Sequence, residues 1–141
     1  GRVVGKVGGV PLYTLSHPDA LLPDGSLSLF AEVAEGEEVV LMTGSKQSLV
    51  ARAGRGAAAA IELGGIAADD IRGAVVVYCA GCMLTVQDHM ADVVAELNDA
   101  LHGRPFIGIF TFGEQGCLLD GQASHGNLMI SALVFAKSAM T

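Results

Sequence analysis

The chain has 141 residues, of which 51% are hydrophobic and only 16% charged; this excludes a disordered chain and suits one domain burying its own core. Asp and Glu outnumber Lys and Arg 15 to 8, for a formal charge of −7, which argues against nucleic acid and anionic membranes as partners. Three cysteines are too few for a disulfide framework, no apolar run approaches bilayer length, and no signal-peptide pattern opens the chain, so a reducing, cytoplasmic setting is expected.

Residues 3–13 have strand composition interrupted by glycine, suited to an edge strand or a tail. Ser16-His17-Pro18-Asp19 and Pro23-Asp24-Gly25-Ser26 read as turns, since Pro fixes φ and Gly permits positive φ. Residues 27–33 alternate as a strand, Glu35-Gly36-Glu37 turns the chain, and 39–42 form the next strand, so a β-hairpin is expected here. From Ser48 the pattern becomes helical: Leu49, Val50, Ala53, Ala57, Ala60 and Ile61 recur at helical spacing. Gly54 and Gly56 weaken the middle of that helix, and Gly64-Gly65 stops it.

Residues 74–78 are apolar without alternation, the pattern of a strand buried on both faces. A second helix is expected over 86–101, with Met90, Val93, Val94, Leu97 and Leu101 as its apolar stripe and Gln87, Asp88, Asp92, Glu96 and Asp99 facing water. Gly103-Arg104-Pro105 ends it. Residues 106–112 read as a strand, 113–126 as a long loop and 128–135 as the last strand. The order is β-β-α-β-α-β-β, an α/β (α+β) single domain with a mixed, mostly antiparallel sheet and two helices on one face. The order also fits small domains that join into rings through their sheets, an analogy of topology alone. The chain starts Gly1-Arg2-Val3 rather than with Met, so a piece of a larger protein is expected.

The sharpest local feature is Cys79-Ala80-Gly81-Cys82, between a buried strand and a helix start. Unpaired N–H groups there would stabilise a thiolate, as thiol–disulfide exchange requires. The competing reading is two small inert buried sulfurs at a crowded turn; local physics favours it, and the surrounding element order, which is not that of thioredoxin, weakens the redox case further. A zinc site drawing on Cys79, Cys82, Cys117 and a histidine lacks the second closely spaced ligand pair of structural zinc, so no metal is expected.

The segment after Phe112 gathers polar residues: Gly113, Glu114, Cys117, Asp120, Gln122, Ser124, His125 and Asn127. Glu114 directly follows a buried-looking strand, where a carboxylate must find a partner. It either receives a ligand's amino group or caps backbone amides. Asp120, Ser124 and His125 are triad residue types, but no G-x-S-x-G elbow accompanies them. Gly54-Arg55-Gly56 imitates part of a dinucleotide fingerprint without the preceding strand, and reads as a close-packing helix face. His17, His89 and His102 read as surface or capping residues.

These segments together resemble the C-terminal half of FIST domains, the family named for F-box and intracellular signal transduction proteins. The resemblance rests on Ser16-His17-Pro18, Asp24-Gly25-Ser26 and Glu35-Gly36-Glu37-Glu38-Val39, and on the strand ending in Cys79-Ala80-Gly81-Cys82. It rests further on the stretch from Pro105 through Gly113-Glu114, and on Ser124-His125-Gly126-Asn127 before a final strand, and so covers nearly the whole chain. The family pattern has an arginine soon after the cysteine of the buried strand; Cys82 stands near that place here, which puts an anion-binding role for the position in doubt.

The resemblance implies an intracellular small-molecule sensor without catalysis, taking an amino acid or similar metabolite and reporting to a signalling protein such as a histidine kinase. An N-terminal FIST half in the parent chain is a further implied partner. Gly113, Glu114, Cys79, Cys82, His125 and Asn127 would line the ligand site. Some relatives bind haem and report nitric oxide, which makes a haem sensor with a His or Cys ligand one alternative. A thiol-redox enzyme using Cys79 and Cys82 is another, and an oligomerisation or partner-docking module, possible as a homo-oligomer, is the third.

Overall fold

A computed structural model describes residues 1–7, 9–117 and 123–137. It is a mixed α+β fold of small sheets built around one long strand. Strand β1 (Arg2–Val7) pairs antiparallel with β2 (Val10–Thr14), and β3 (Pro18–Leu21) with β4 (Leu27–Leu29). Helix α1 (Lys46–Leu63) leads to the central strand β5 (Ile71–Cys79). Two helices follow, α2 (Ala80–Thr85) and α3 (Met90–Ala100), then β6 (Phe106–Thr111). A hairpin of β7 (Glu114–Cys117) and β8 (Ala123–Gly126) precedes the last strand, β9 (Ile130–Ala136). The main sheet has the order β6-β5-β9, with β5 parallel to β6 and antiparallel to β9.

Helix α1 starts on a capping box: the Ser45 hydroxyl accepts from the Ser48 N–H at 3.1 Å, and the Ser48 hydroxyl accepts from the Ser45 N–H at 3.0 Å. It tolerates both of its internal glycines. Gly54 is buried where α1 crosses α3, and a Cβ there would lie 2.8 Å from the Glu96 carbonyl oxygen. The glycine therefore sets how closely the helices approach, as the close-packing reading expected. Ala53 and Ala57 of α1 and Val93 and Leu97 of α3 share one core with Ala74, Val76 and Tyr78 of β5. That core covers one face of the main sheet.

Four local expectations are corrected. Residues 27–29 pair backwards with Pro18–Leu21, not forwards with 39–42. Turn chemistry decides this: Asp24 Oδ1 accepts from the Ser26 N–H at 2.9 Å and the Ser26 hydroxyl at 2.6 Å, and Gly25 sits at φ 86°. The Glu35-Gly36-Glu37 turn forms, with Gly36 at φ 86°, but the chain beyond it lies along the N-terminus. There the Val40 N–H donates to the Gly1 carbonyl at 2.8 Å, the Gly1 nitrogen donates to the Val40 carbonyl at 2.7 Å, and Arg2 meets Glu37 at 2.6 Å.

The helix expected over 86–101 begins only at Met90, after a separate helix at 80–85 and a single 3-10 turn at Gln87–His89. Residues 114–117 and 123–126 form a hairpin rather than a loop. Finally, β5 is fully covered on one face; on the other, Val75 and Val77 are half-buried between the buried Gly73 and Cys79.

The remaining histidines are placed as surface residues. His17 stacks on Phe30 at 6.0 Å, His89 Nδ1 lies 3.2 Å from Asp92 Oδ2, and His102 follows α3 at φ 52°.

Candidate functional site

Parallel strands bring their C-terminal ends to the same side, and here those ends carry the candidate residues. Cys79 closes β5 and lies beside Thr111 of β6 in the parallel register. Cys82 is buried in α2, directly after β5. Gly113 and Glu114 follow β6. The turn from β8 into β9 returns to this place, where the Cys79 N–H donates to the Met129 carbonyl at 3.2 Å.

Glu114 is the buried carboxylate of the described residues, with 2% of its surface exposed. Its Oε1 accepts from the Thr111 hydroxyl at 3.0 Å and its Oε2 from the Met129 N–H at 3.2 Å. The capping reading of this residue is therefore realised. Each carboxylate oxygen keeps a second lone pair, so capping does not use up its capacity to accept. Among the described residues Glu114 makes no ion pair.

Gly113 is held at φ 90°, and a Cβ on it would meet His125 Nε2 at 2.8 Å. The positive φ makes glycine the suited residue at that position. His125 itself is exposed and lies opposite Gln115 in the β7–β8 hairpin. Asn127 is buried and ties two segments together: its N–H donates to the Leu15 carbonyl at 2.8 Å, and its Oδ1 accepts from the His17 N–H at 3.1 Å. It locks the β2–β3 connection onto the turn before β9. Asp120, Gln122 and the side chain of Cys117 lie outside the described residues.

Three residues of this region carried no signal in the sequence. Arg52 reaches over from α1, and its Nη1 donates to the Leu128 carbonyl at 2.5 Å. Its charge also acts on Tyr78 and Cys82, so an arginine stands near the Cys82 thiol after all, supplied by a different element. Leu128, held by that contact, adopts φ 55°, a costly backbone for a leucine. Thr14 is buried next to Gly126, and its hydroxyl oxygen has no hydrogen-bond partner among the described residues. A mid-helix arginine and a strand-end threonine are ordinary residues in sequence; only the chain's return brings them here.

Cys79 and Cys82 are free and buried. Burial pushes the Cys82 thiol up to about 12, and the neighbouring Cys79 sulfur adds to the shift. An exchange-active thiol needs the opposite direction. Burial likewise raises the Tyr78 phenol to about 12. Both groups ionise in the unfolded chain near their ordinary values of 9 and 10, and hold their protons in the fold. The unfolded state thus binds fewer protons in that window, and stability is expected to fall as pH rises from about 9 through about 12. Chemical denaturation on either side of about pH 9 checks the direction. A thiol reagent at neutral pH should label Cys82 only after unfolding; rapid labelling of Cys82 in the folded protein would contradict the burial.

Among the described residues no three His, Cys, Asp or Glu side chains come together in a way that suits a metal ion. Haem fits this donor set poorly. The Cys82 thiol is held neutral, away from the thiolate that haem ligation needs. A groove of about 560 Å³ between α1 and α3, lined by Lys46, Val50, His89, Asp92 and Glu96 among others, shares no residue with the cluster.

The fold and cluster define a small mixed α+β domain whose polar residues gather where two parallel strands end. Residues 2–117 match the FIST C domain model, and the chain belongs to that family, which is associated with sensory domains of signal transduction. The matched span includes Cys79, Cys82, Gly113 and Glu114 and ends before His125 and Asn127. No curated protein and no solved structure matches the chain. Among the described residues no helix is long and apolar enough to cross a membrane.

Proposed function

We propose that this domain is a non-catalytic, cytoplasmic sensor that takes a small polar metabolite at the ends of β5 and β6. The observation that supports this reading is Glu114: a carboxylate almost fully withdrawn from water, without an ion-pair partner among the described residues. Burying such a charge is costly unless something compensates it. A ligand bearing an ammonium group, such as an amino acid, would supply that compensation through the carboxylate's free lone pairs. The Thr14 hydroxyl offers a second polar contact in the same part of the molecule, where Asn127 fixes the turn. The sensor would pass occupancy of this site to a signalling protein such as a histidine kinase.

The neutral state in which burial holds the Cys82 thiol supports the non-catalytic reading over thiol exchange. The test is substitution of Glu114 by glutamine, which keeps shape and hydrogen bonding while removing the charge. A ligand that stabilises the wild-type domain should lose most of its effect on Glu114→Gln, whose own melting temperature stays close to wild type. Equal stabilisation of both proteins would remove Glu114 from the site.

A further inference from the structure

Among the described residues the face of the main sheet turned away from the helices is met by β7 at Ser131, where Gly116 lies close, and the rest of it is exposed and apolar. Registers across β6-β5-β9 place Ile107, Val75 and Leu133 in one row, and Ile109, Val77 and Ser131 in the next, with Phe135 opposite Gly73. Ile107 is 61% exposed, Ile109 46%, Leu133 60% and Phe135 50%. No charged residue interrupts these rows, in a chain where 16% of residues are charged. The apolar run of β5 is that of a strand covered on both sides, and the described residues leave Val75 and Val77 only half-buried.

We propose that two copies of this chain dimerise by stacking these sheet faces. Sheets pack face to face when both inner surfaces are apolar, their strands close to aligned, with the two-fold axis placing the same patch on both sides. The absence of charge favours a like partner over an oppositely charged one, because the face offers nothing for a complementary charge to read. Area decides that the contact is sufficient. The four exposed side chains and the two half-buried valines present about 500 Å², near the upper end for the largest apolar patch on a monomer. Two such faces bury about 1,000 Å² together, the size at which specific association begins. The dimer is accordingly one of moderate affinity, formed over micromolar concentrations.

The test is sedimentation equilibrium on the 141-residue chain over a concentration series, with the variants Ile109→Glu and Leu133→Glu and the control Leu27→Glu. Both face positions are exposed in the single chain, so the variants should fold; circular dichroism verifies it. The wild-type chain should rise from monomer to dimer mass. Each face variant should weaken association about a hundredfold, because it buries two like charges against each other across the axis. Leu27, also exposed but on the β3–β4 hairpin, should tolerate glutamate with no change. A wild-type chain that stays monomeric overturns the proposal. So does a dimer that survives both face variants, or one that Leu27→Glu breaks instead.

Discussion

Gly54→Ala is expected to destabilise the domain, although alanine is the better helix former. The added Cβ gains up to about 1 kcal/mol of helix propensity. It would lie 2.8 Å from the Glu96 carbonyl oxygen, a backbone atom that cannot swing aside. Overpacking of this kind costs about 1–3 kcal/mol, so the clash wins. The melting temperature should drop by several degrees. Gly56, two residues along, is the internal control. A Cβ there meets its nearest neighbour, the Ile130 carbonyl oxygen, at an ordinary 3.8 Å. Gly56→Ala should therefore raise stability by about 0.5–1 kcal/mol through propensity alone. Opposite signs from the same substitution in the same helix are the signature of the α1–α3 crossing. Two stabilising results would mean the helices are further apart than described.

Glu114→Ala should cost about 3 kcal/mol, the scale for losing hydrogen bonds to a charged acceptor. It strips the Thr111 hydroxyl and the Met129 N–H of the acceptor they share, at the place where β9 begins. Glu114→Gln should cost less than about 1 kcal/mol, since the amide oxygen still accepts from Met129 and the amide nitrogen donates to the Thr111 hydroxyl. Thermal or urea denaturation of the two variants checks the contrast. Equal losses would show that the negative charge itself holds the fold, which would separate Glu114 from ligand binding.

Much of the architecture was legible because local chemistry and burial agree. The helix from Ser48 carries a stripe at helical spacing, and its first turn adds a complete serine capping box. The strand at 74–78 declared itself by composition, and its real extent is only longer at both ends. The Pro23-Asp24-Gly25-Ser26 turn was also legible as a turn. Which strands it joined was not, because Pro18-Asp19 read as a turn and left 39–42 as the partner, whereas Asp24 and Gly25 fold 27–29 back onto Pro18–Leu21 and Gly1 captures Val40. Residues 86–101 show one apolar stripe, yet the chain spends three residues in a 3-10 turn before α3, a break that periodicity averages over. Glycine and polar content in 113–126 masked the β7–β8 hairpin, since pairing depends on the partner strand and not on propensity alone.

The candidate site was partly legible. Gly113, Glu114, Cys79 and Cys82 do converge, because consecutive parallel strands put their following residues at one end of the sheet. Asn127 was singled out as a site residue, and its observed contacts are to the backbone of residues 15 and 17. Arg52 and Thr14 were invisible: their proximity is created by tertiary packing across the whole domain, which a single sequence does not encode in any local pattern. The second face of the main sheet, read as buried, is only half-covered among the described residues, for a related reason. Composition records that a strand expects cover on both sides, but not whether its own chain provides it.

The central claim, a small-molecule site at Glu114, is tested most directly by a thermal-shift series on the reduced domain against amino acids, other small metabolites, haemin and zinc. A ligand at a hundred times its dissociation constant adds about 2.7 kcal/mol of stability. In a domain of this size that is a shift of several degrees. The account predicts such a shift with one class of amine-bearing metabolite, and its loss in Glu114→Gln. No shift with any of these compounds, or a shift that Glu114→Gln leaves intact, would contradict it.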